Sequence, residues 1–264
     1  MQWILAYVAV GLGIGFLAGL LGIGGGMVLV PILAALFSAQ ALSPTHGLHL
    51  ALGTAMASVV FTASASAREH HRLGSVDWAL AKQLAPAMAL GTLLSTLASG
   101  WLPQRALALV FAVIVFGGAT QIWLGRKPAA GRGLPGPAGL WSVGTGIGVI
   151  AGLVSAGGTF LSMPFMLFCG VPMRRAVGTG AALGVPIALL GTAGYVISGW
   201  SVGGLPASAL GFVHLPSLAA LVFASMLTAP IGARAAHRLP AAALKRVFAL
   251  VLYVLAARMV AMYW

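Results

Sequence analysis

Few residue types in this sequence could do chemistry, and they gather at two places. Gly24, Gly25 and Gly26 close the run Gly22-Ile-Gly-Gly-Gly26, and Ser155, Gly157, Gly158 and Thr159 form Ser155-Ala-Gly-Gly-Thr159. Clustered glycines interrupt a helix, adopt dihedrals closed to other residues and let a ligand approach the backbone. A helix restarting after such a run directs unpaired N–H groups and a partial positive charge at whatever lies ahead of it. The chemistry implied is capture of an anion by backbone amides. Ser155 and Thr159 add hydroxyl donors where the first run has Gly22 and Gly26, so the site is expected to be asymmetric, richer in donors on its second side.

Other polar groups lie inside apolar segments. Thr54 and Thr179 recur in Ala51-Leu-Gly-Thr-Ala55 and Ala176-Val-Gly-Thr-Gly180. They either reach the same site or bond their own helix backbone. His49 lies one turn before Gly53 and either binds an anion, carries a proton, or bonds a carbonyl near the membrane interface. His70, His71 and His237 fall in basic loops, and His214 opens a helix. Glu69 and Asp77 are the only carboxylates. A transporter for metal cations would normally need membrane-embedded acids or soft ligands, and the only two acids lie together in one basic loop. If a proton is coupled to transport, a histidine or the substrate itself must carry it. The lone Cys169 reads as a small buried hydrophobe. No constellation of catalytic residues, metal ligands or cofactor motif stands out, so no enzyme activity and no cofactor are expected.

The elements that hold these residues are membrane helices. The 264 residues are 60% hydrophobic and 6% charged, with a mean hydropathy of +1.05. Soluble domains carry about 25% charged residues, so lipid must cover this exterior. Apolar segments fall at 3–21, 26–37, 46–67, 79–99, 106–124, 140–154, 158–170, 176–197, 213–233 and 247–263. Crossing a bilayer takes about 20 residues. Segments 26–37 and 158–170 are too short to span comfortably, and each follows a glycine cluster. Each therefore reads as the second arm of a re-entrant hairpin or broken helix. Pro31 and Pro164 bend these arms. The opening Met1-Gln-Trp3 has no basic character, so the first segment is expected to remain in the mature protein.

The chain has 14 Lys+Arg against 2 Asp+Glu, a net charge of +12. The bases sit in short loops without a basic helix or aromatic platform, which points to membrane topology and away from nucleic acid. If each glycine-centred pair returns to its side of origin, loops 68–82, 125–138, 174–175 and 234–246 share one side. Only Arg105 and Arg258 then fall on the other. One net crossing per pair would split the bases evenly. The positive-inside rule selects the first arrangement, with both termini external and the 125–138 connection cytoplasmic.

Residues 13–31 (GIGFLAGLLGIGGGMVLVP) align without gaps on 146–164 (GIGVIAGLVSAGGTFLSMP), and the two Gly-Thr motifs follow in the same order. Residues 1–125 and 139–264 are thus two transmembrane repeats, joined by a Pro- and Gly-rich cytoplasmic linker over 126–138. Each crosses the membrane an odd net number of times, so the second is inverted relative to the first. The expected fold is an all-α integral membrane protein of two inverted-topology repeats, each with a Gly-broken helix pair and about three spanning helices. Such repeats place substrate near the midplane at their interface. The rows Gly11–Gly15–Gly19 and Gly144–Gly148–Gly152 have small-xxx-small spacing and read as helix-packing faces. Such stripes pack helices within or between chains, so a homo-oligomer is compatible with them.

The start G-x-x-x-G-L-x-G-x-G-G-G-x-x-x-V-P, its second copy ending in G-G-T-x-x-x-x-P, and the paired [AV]-[LV]-G-T-[AG] elements resemble the sulfite exporter TauE/SafE family of membrane permeases. The likeness runs from Gly11 to the C-terminal helix. It implies a cell-inner-membrane permease for sulfite, sulfoacetate or a related small sulfur anion, and marks Gly24, Gly25, Gly157, Gly158, Thr54 and Thr179 as motif positions. The second cluster departs from the full glycine run of the first. A secondary carrier working by alternating access, an anion channel, and a permease for another small anion such as a carboxylate all fit the residues. The implied partners are a small anionic substrate and the lipid bilayer.

Overall fold

The computed structural model describes residues 2–21, 25–124, 133–236 and 241–264. Among these residues there are ten helices: α1 Gln2–Leu21, α2 Gly26–Ala39, α3 Gly47–Arg72, α4 Trp78–Ser99, α5 Gln104–Leu124, α6 Pro137–Leu153, α7 Thr159–Phe168, α8 Met173–Gly199, α9 Leu215–Ala236 and α10 Ala241–Tyr263. Each predicted apolar segment corresponds to one of them. The chain is an all-α membrane protein in this sense, and α3, α5, α8 and the 246–263 part of α10 are long and apolar enough to cross a bilayer. At 1.5 Å per residue the ten-residue α7 spans only about 15 Å and α2 about 21 Å. Neither arm can cross the roughly 30 Å hydrocarbon core alone.

The fold departs from a purely helical one at a short β-hairpin, β1 Ala209–Leu210 and β2 Val213–His214, paired antiparallel with Ala209 opposite His214. The apolar segment expected to be helical from 213 therefore begins as a strand, and α9 starts at Leu215. Gly211 turns the chain at φ 55°. The hairpin tip wedges between α3 and α8. A Cβ at Gly53 or Gly211 would overlap the Phe212 or Val196 carbonyl oxygen, and one at Gly199 would stand 2.5 Å from the Phe212 nitrogen.

Local sequence explains the helix boundaries. Gly25 caps α2 at φ 65°, a left-handed position natural to glycine. Asp77 caps α4, its carboxylate accepting the Leu80 N–H at 3.1 Å. Pro137 opens α6 after Gly136. The end of α6 is a Schellman turn: the Ala156 N–H donates to the Ala151 carbonyl and the Ser155 N–H to that of Gly152. Its left-handed position, φ 49°, is held by Ser155 where glycine is usual.

The halves are interleaved rather than set side by side. α1 packs on α9 and α6 on α4; α3 packs on α8 and α5 on α10; α2 lies on α3 and α7 on α8. Exchanging α1–α5 with α6–α10 leaves these pairs unchanged. The two glycine rows are the packing faces. A Cβ at Gly11 would stand 2.8 Å from the Ala224 Cβ, one at Gly15 2.5 Å from the Ser225 carbonyl, and one at Gly144 2.9 Å from the Ala87 Cβ; at Gly148 and Gly152 it would strike the Met88 carbonyl and the Ser95 hydroxyl. Only a missing side chain lets these backbones approach so closely. Leu48, Leu50, Leu52 and Met56 of α3 are buried among Leu33 and Phe37 of α2, Phe111 of α5 and Tyr195 of α8.

Candidate functional site

The two helix interruptions meet inside the fold. A Cβ at Gly26, the first residue of α2, would collide with the backbone carbonyl of Ser155 and stand 2.8 Å from the Val59 methyl. Gly25 faces α1, with its Cβ direction 3.0 Å from Ile14 and 3.2 Å from Ala18. On the other side Gly158 rests on α8: a Cβ there would lie 2.6 Å from the Gly184 nitrogen and 3.0 Å from the Gly180 carbonyl. Gly180 in turn has its Cβ direction 3.0 Å from the Thr159 Cα. Gly26, Ser155, Gly157, Gly158 and Thr159 are all buried. Gly24 lies outside the described residues, as does the rest of its run up to residue 22.

The first intrahelical bonds of α2 run from the Val28 and Leu29 N–H groups to the Gly25 carbonyl. Those of α7 run from Phe160 to Gly157 and from Ser162 to Gly158. The amides of Gly26 and Met27, and of Gly158 and Thr159, thus precede the hydrogen-bond ladder of their helices. They are the donors a helix N-terminus presents. Ser155 links this region to α3: its hydroxyl donates to the Leu52 carbonyl at 2.8 Å. That bond helps offset a left-handed conformation that costs a non-glycine residue roughly 1–2 kcal/mol. In this conformation the Ser155 hydroxyl hydrogen is engaged by α3.

Thr54 and Thr179 do a matched pair of jobs across the two halves. Thr54 donates to its own helix at Leu50, 2.7 Å, and accepts the N–H of His214 at 2.9 Å. Thr179 accepts the N–H of Asp77 at 2.9 Å. His214 and Asp77 are the residues directly before α9 and α4. The glycine preceding each threonine completes the seat: a Cβ at Gly53 would strike the Phe212 carbonyl, and one at Gly178 the Ser75 carbonyl. Each Gly-Thr motif therefore seats the loop that enters the fourth helix of the opposite half.

His49 stands apart from the glycine clusters, in the first turn of α3. Its Nε2–H donates to the carbonyls of Ser99, 3.0 Å, and Leu102, 3.1 Å. That is the carbonyl-bonded arrangement foreseen as one of its readings. Its ring packs on Phe212, with centroids 4.9 Å apart. His214 bonds Ser217 through Nδ1 at 2.9 Å.

The interior carries no acid. Glu69 pairs with Arg72 on the surface, and Asp77 lies 3.7 Å from Arg175, both at the end of the fold formed by loop 73–77 and the start of α8. Arg174 donates to the Leu73 carbonyl at 2.9 Å, so this arginine pair ties that loop down. Sequence reasoning missed Tyr195. Its hydroxyl is fully buried, donates to the Gly152 carbonyl at 2.9 Å, and has the Ser155 and Ser99 hydroxyls beside it. A tyrosine in the middle of an apolar helix was the available signal, because a buried phenol needs a partner. The seating loops 75–77 and 212–214 left no such trace, since their contacts are made by backbone.

A family model described as Sulfite exporter TauE/SafE matches residues 7–259. A probable membrane transporter protein of Haemophilus influenzae (strain Rd) is 34% identical over 258 residues, covering 97% of this chain and 98% of that protein. The probable membrane transporter protein YdhB of Bacillus subtilis (strain 168) is 23% identical over 239 residues, covering 88% of this chain and 90% of its own. No solved structure matches.

Proposed function

The chain belongs to the sulfite exporter TauE/SafE family of membrane transporters, and from that premise we propose that it is a secondary carrier for a sulfur oxyanion or small organosulfonate. The anion is held by the amides at the N-termini of α2 and α7, around Gly25, Gly26, Gly157 and Gly158, with the Thr159 hydroxyl beside them. Gly24 belongs to the same cradle by its place in the sequence run. Thr54 and Thr179 position the walls.

One observation carries this reading: the first residue of α2 lies against the carbonyl of Ser155, so the two interrupted regions are adjacent. Two helix N-termini then converge in an interior whose nearest carboxylate, Asp77, lies against Arg175 in the loop that Thr179 seats. In a low-dielectric site such dipoles attract an anion strongly.

Alternating access follows from inverted halves. The exchange symmetry of the packing pairs and the one-sided distribution of bases support the inversion, with external termini and a cytoplasmic 126–138 linker. The Gly26–Ser155 contact leaves no room between the two regions, so the halves must separate there for the anion to pass. Ser155 can offer its hydroxyl to the anion only by releasing Leu52, which ties occupancy of the site to the contact with α3. The surrounding bilayer is the other partner.

The test is flux in liposomes. Saturable transport and counterflow of labelled sulfite and a small organosulfonate are expected, against chloride, acetate and a divalent cation as comparisons. Gly25→Leu, which forces a side chain into a left-handed cap against Ile14, abolishes flux; Thr159→Val weakens it. Non-saturable flux without counterflow would indicate a channel. Cation flux without anion flux would overturn the reading.

A further inference from the structure

His49 is 1% exposed, and its Nδ1 is the one buried side-chain polar atom among the described residues without a hydrogen-bond partner. The tautomer follows from the other nitrogen. Nε2 faces two carbonyl oxygens, those of Ser99 and Leu102, and a carbonyl can only accept. Nε2 therefore carries the hydrogen, and Nδ1 presents a bare lone pair. That lone pair is where the ring can take up a proton.

We propose that His49 is the proton-binding group of the carrier, taken through its charged form when the anion is bound. The inference rests on the transport reading above. Two features beside the ring favour an imidazolium and offset part of the cost of burying its charge. The ring sits at the carbonyl end of α4, where a helix carries partial negative charge. The Phe212 face lies 4.9 Å from it at 30°, placed to stabilise a cation. A route to the ring is at hand: the half-buried His46 has its ring centroid 5.5 Å away and holds Thr45 through Nδ1.

Among the described residues, the other titratable or charged groups at this end are engaged elsewhere or exposed, and the Tyr195 hydroxyl beside Ser99 donates to the Gly152 carbonyl. His214 of the hairpin is bonded to Ser217 and packs against Tyr7 and Phe37. The Tyr7 hydroxyl accepts from Gln40. On α5, Gln104 is neutral and bonds the Leu48 N–H and the Pro44 carbonyl. Arg105 on α5 and Arg258 on α10 are exposed. No carboxylate is present to do the work instead, since Glu69 and Asp77 lie at the far end of α3.

The coupling to the anion is short. Leu52, one turn along α3 from His49, accepts the Ser155 hydroxyl. The ring also packs, tilted, on Phe212, whose carbonyl rests on Gly53 beside the Thr54 seat. A positive charge at His49 favours an anion at the helix N-termini, and by linkage the anion favours the proton.

The experiment uses the full chain in liposomes with labelled methanesulfonate, an anion that stays ionised across the working range, and a pH-sensitive dye inside. Counterflow without a gradient reads transport; accumulation driven by a gradient of about two pH units reads coupling. With one proton per anion the parent should accumulate the probe up to about 100-fold. His49→Gln, its amide still able to reach the carbonyls, loses the accumulation; its counterflow is read at saturating methanesulfonate, where a weaker hold on the anion does not limit exchange. Equal accumulation by His49→Gln, or parent flux with no dye response, would overturn the inference and leave the carrier standing. Absence of parent counterflow refutes the carrier reading itself. Should His49→Gln lose counterflow as well, His46→Gln decides. The inference holds if that variant slows proton entry more than exchange, and fails if it leaves the dye signal unchanged.

Discussion

Ser155 concentrates the chemistry of this fold in one residue. It closes a Schellman turn in a conformation that favours glycine, and its side chain spans to the neighbouring half at Leu52. The two effects can be separated by substitution. Ser155→Ala keeps the left-handed strain and loses the hydrogen bond, so it should destabilise by about 1 kcal/mol. Ser155→Gly loses the same bond but relieves strain of roughly 1–2 kcal/mol, leaving stability near the parent value. Thermal unfolding in detergent measures this. If the hydroxyl also serves the anion, both variants raise the half-saturation concentration of sulfite flux alike. Gly26→Ala should be far more damaging than its size suggests, because the added methyl meets the Ser155 backbone rather than a movable side chain. Overpacking of that kind typically costs about 1–3 kcal/mol. The expected outcome is loss of flux in protein that still reaches the membrane.

Between elements, the Gly-Thr motifs act as reciprocal seats. Removing one threonine hydroxyl strands a backbone N–H, that of the buried His214 or of the half-buried Asp77. Thr54→Val and Thr179→Val should each lower stability by about 1–3 kcal/mol, read as a fall in unfolding temperature. Because the seats sit on different loops with no shared partner, their effects should add in the double variant. A strongly non-additive result would show that one loop controls the other. The glycine rows on α1 and α6 make a second demand. Gly148→Leu drives a side chain into the Met88 carbonyl and should prevent α6 from docking on α4, seen as loss of folded protein in membranes. Gly146→Leu is the control on the same helix, since nothing lies within 4 Å of its Cβ direction.

For the whole molecule, the inverted arrangement proposed above makes a prediction about sides. Single cysteines introduced at position 2 and in the 126–138 linker, in a Cys169→Ala background, should differ in labelling by a membrane-impermeant thiol reagent. The terminal one should label from outside in intact cells, and the linker one only after permeabilisation. The reverse pattern would invert the topology, and labelling of both from outside would remove the odd crossing number on which inversion depends. Arg174 and Arg175 belong to this scale as well. They fasten loop 73–77, so their placement satisfies both the sidedness rule and a local structural need.

Much of this protein was legible in its residues. Hydropathy located all ten helices, because a helix in lipid must be apolar over its exposed surface whatever its neighbours are. The small-residue rows marked packing faces on α1 and α6, since close backbone approach leaves glycine as its mark, while their partners α9 and α4 came from the structure. The repeated clusters identified the interruptions, for the same steric reason. Other features were decided only in the tertiary structure. Which half each Gly-Thr motif serves, the wedge of the 209–214 hairpin, and the hydrogen bond from Ser155 to Leu52 join positions 100 residues or more apart in part through backbone atoms. Backbone is the same at every residue, so sequence cannot say which carbonyl or amide will be met. The bare Nδ1 of His49 is of that kind too: the residue type was visible, but only the two carbonyls facing Nε2 determine which nitrogen is left open.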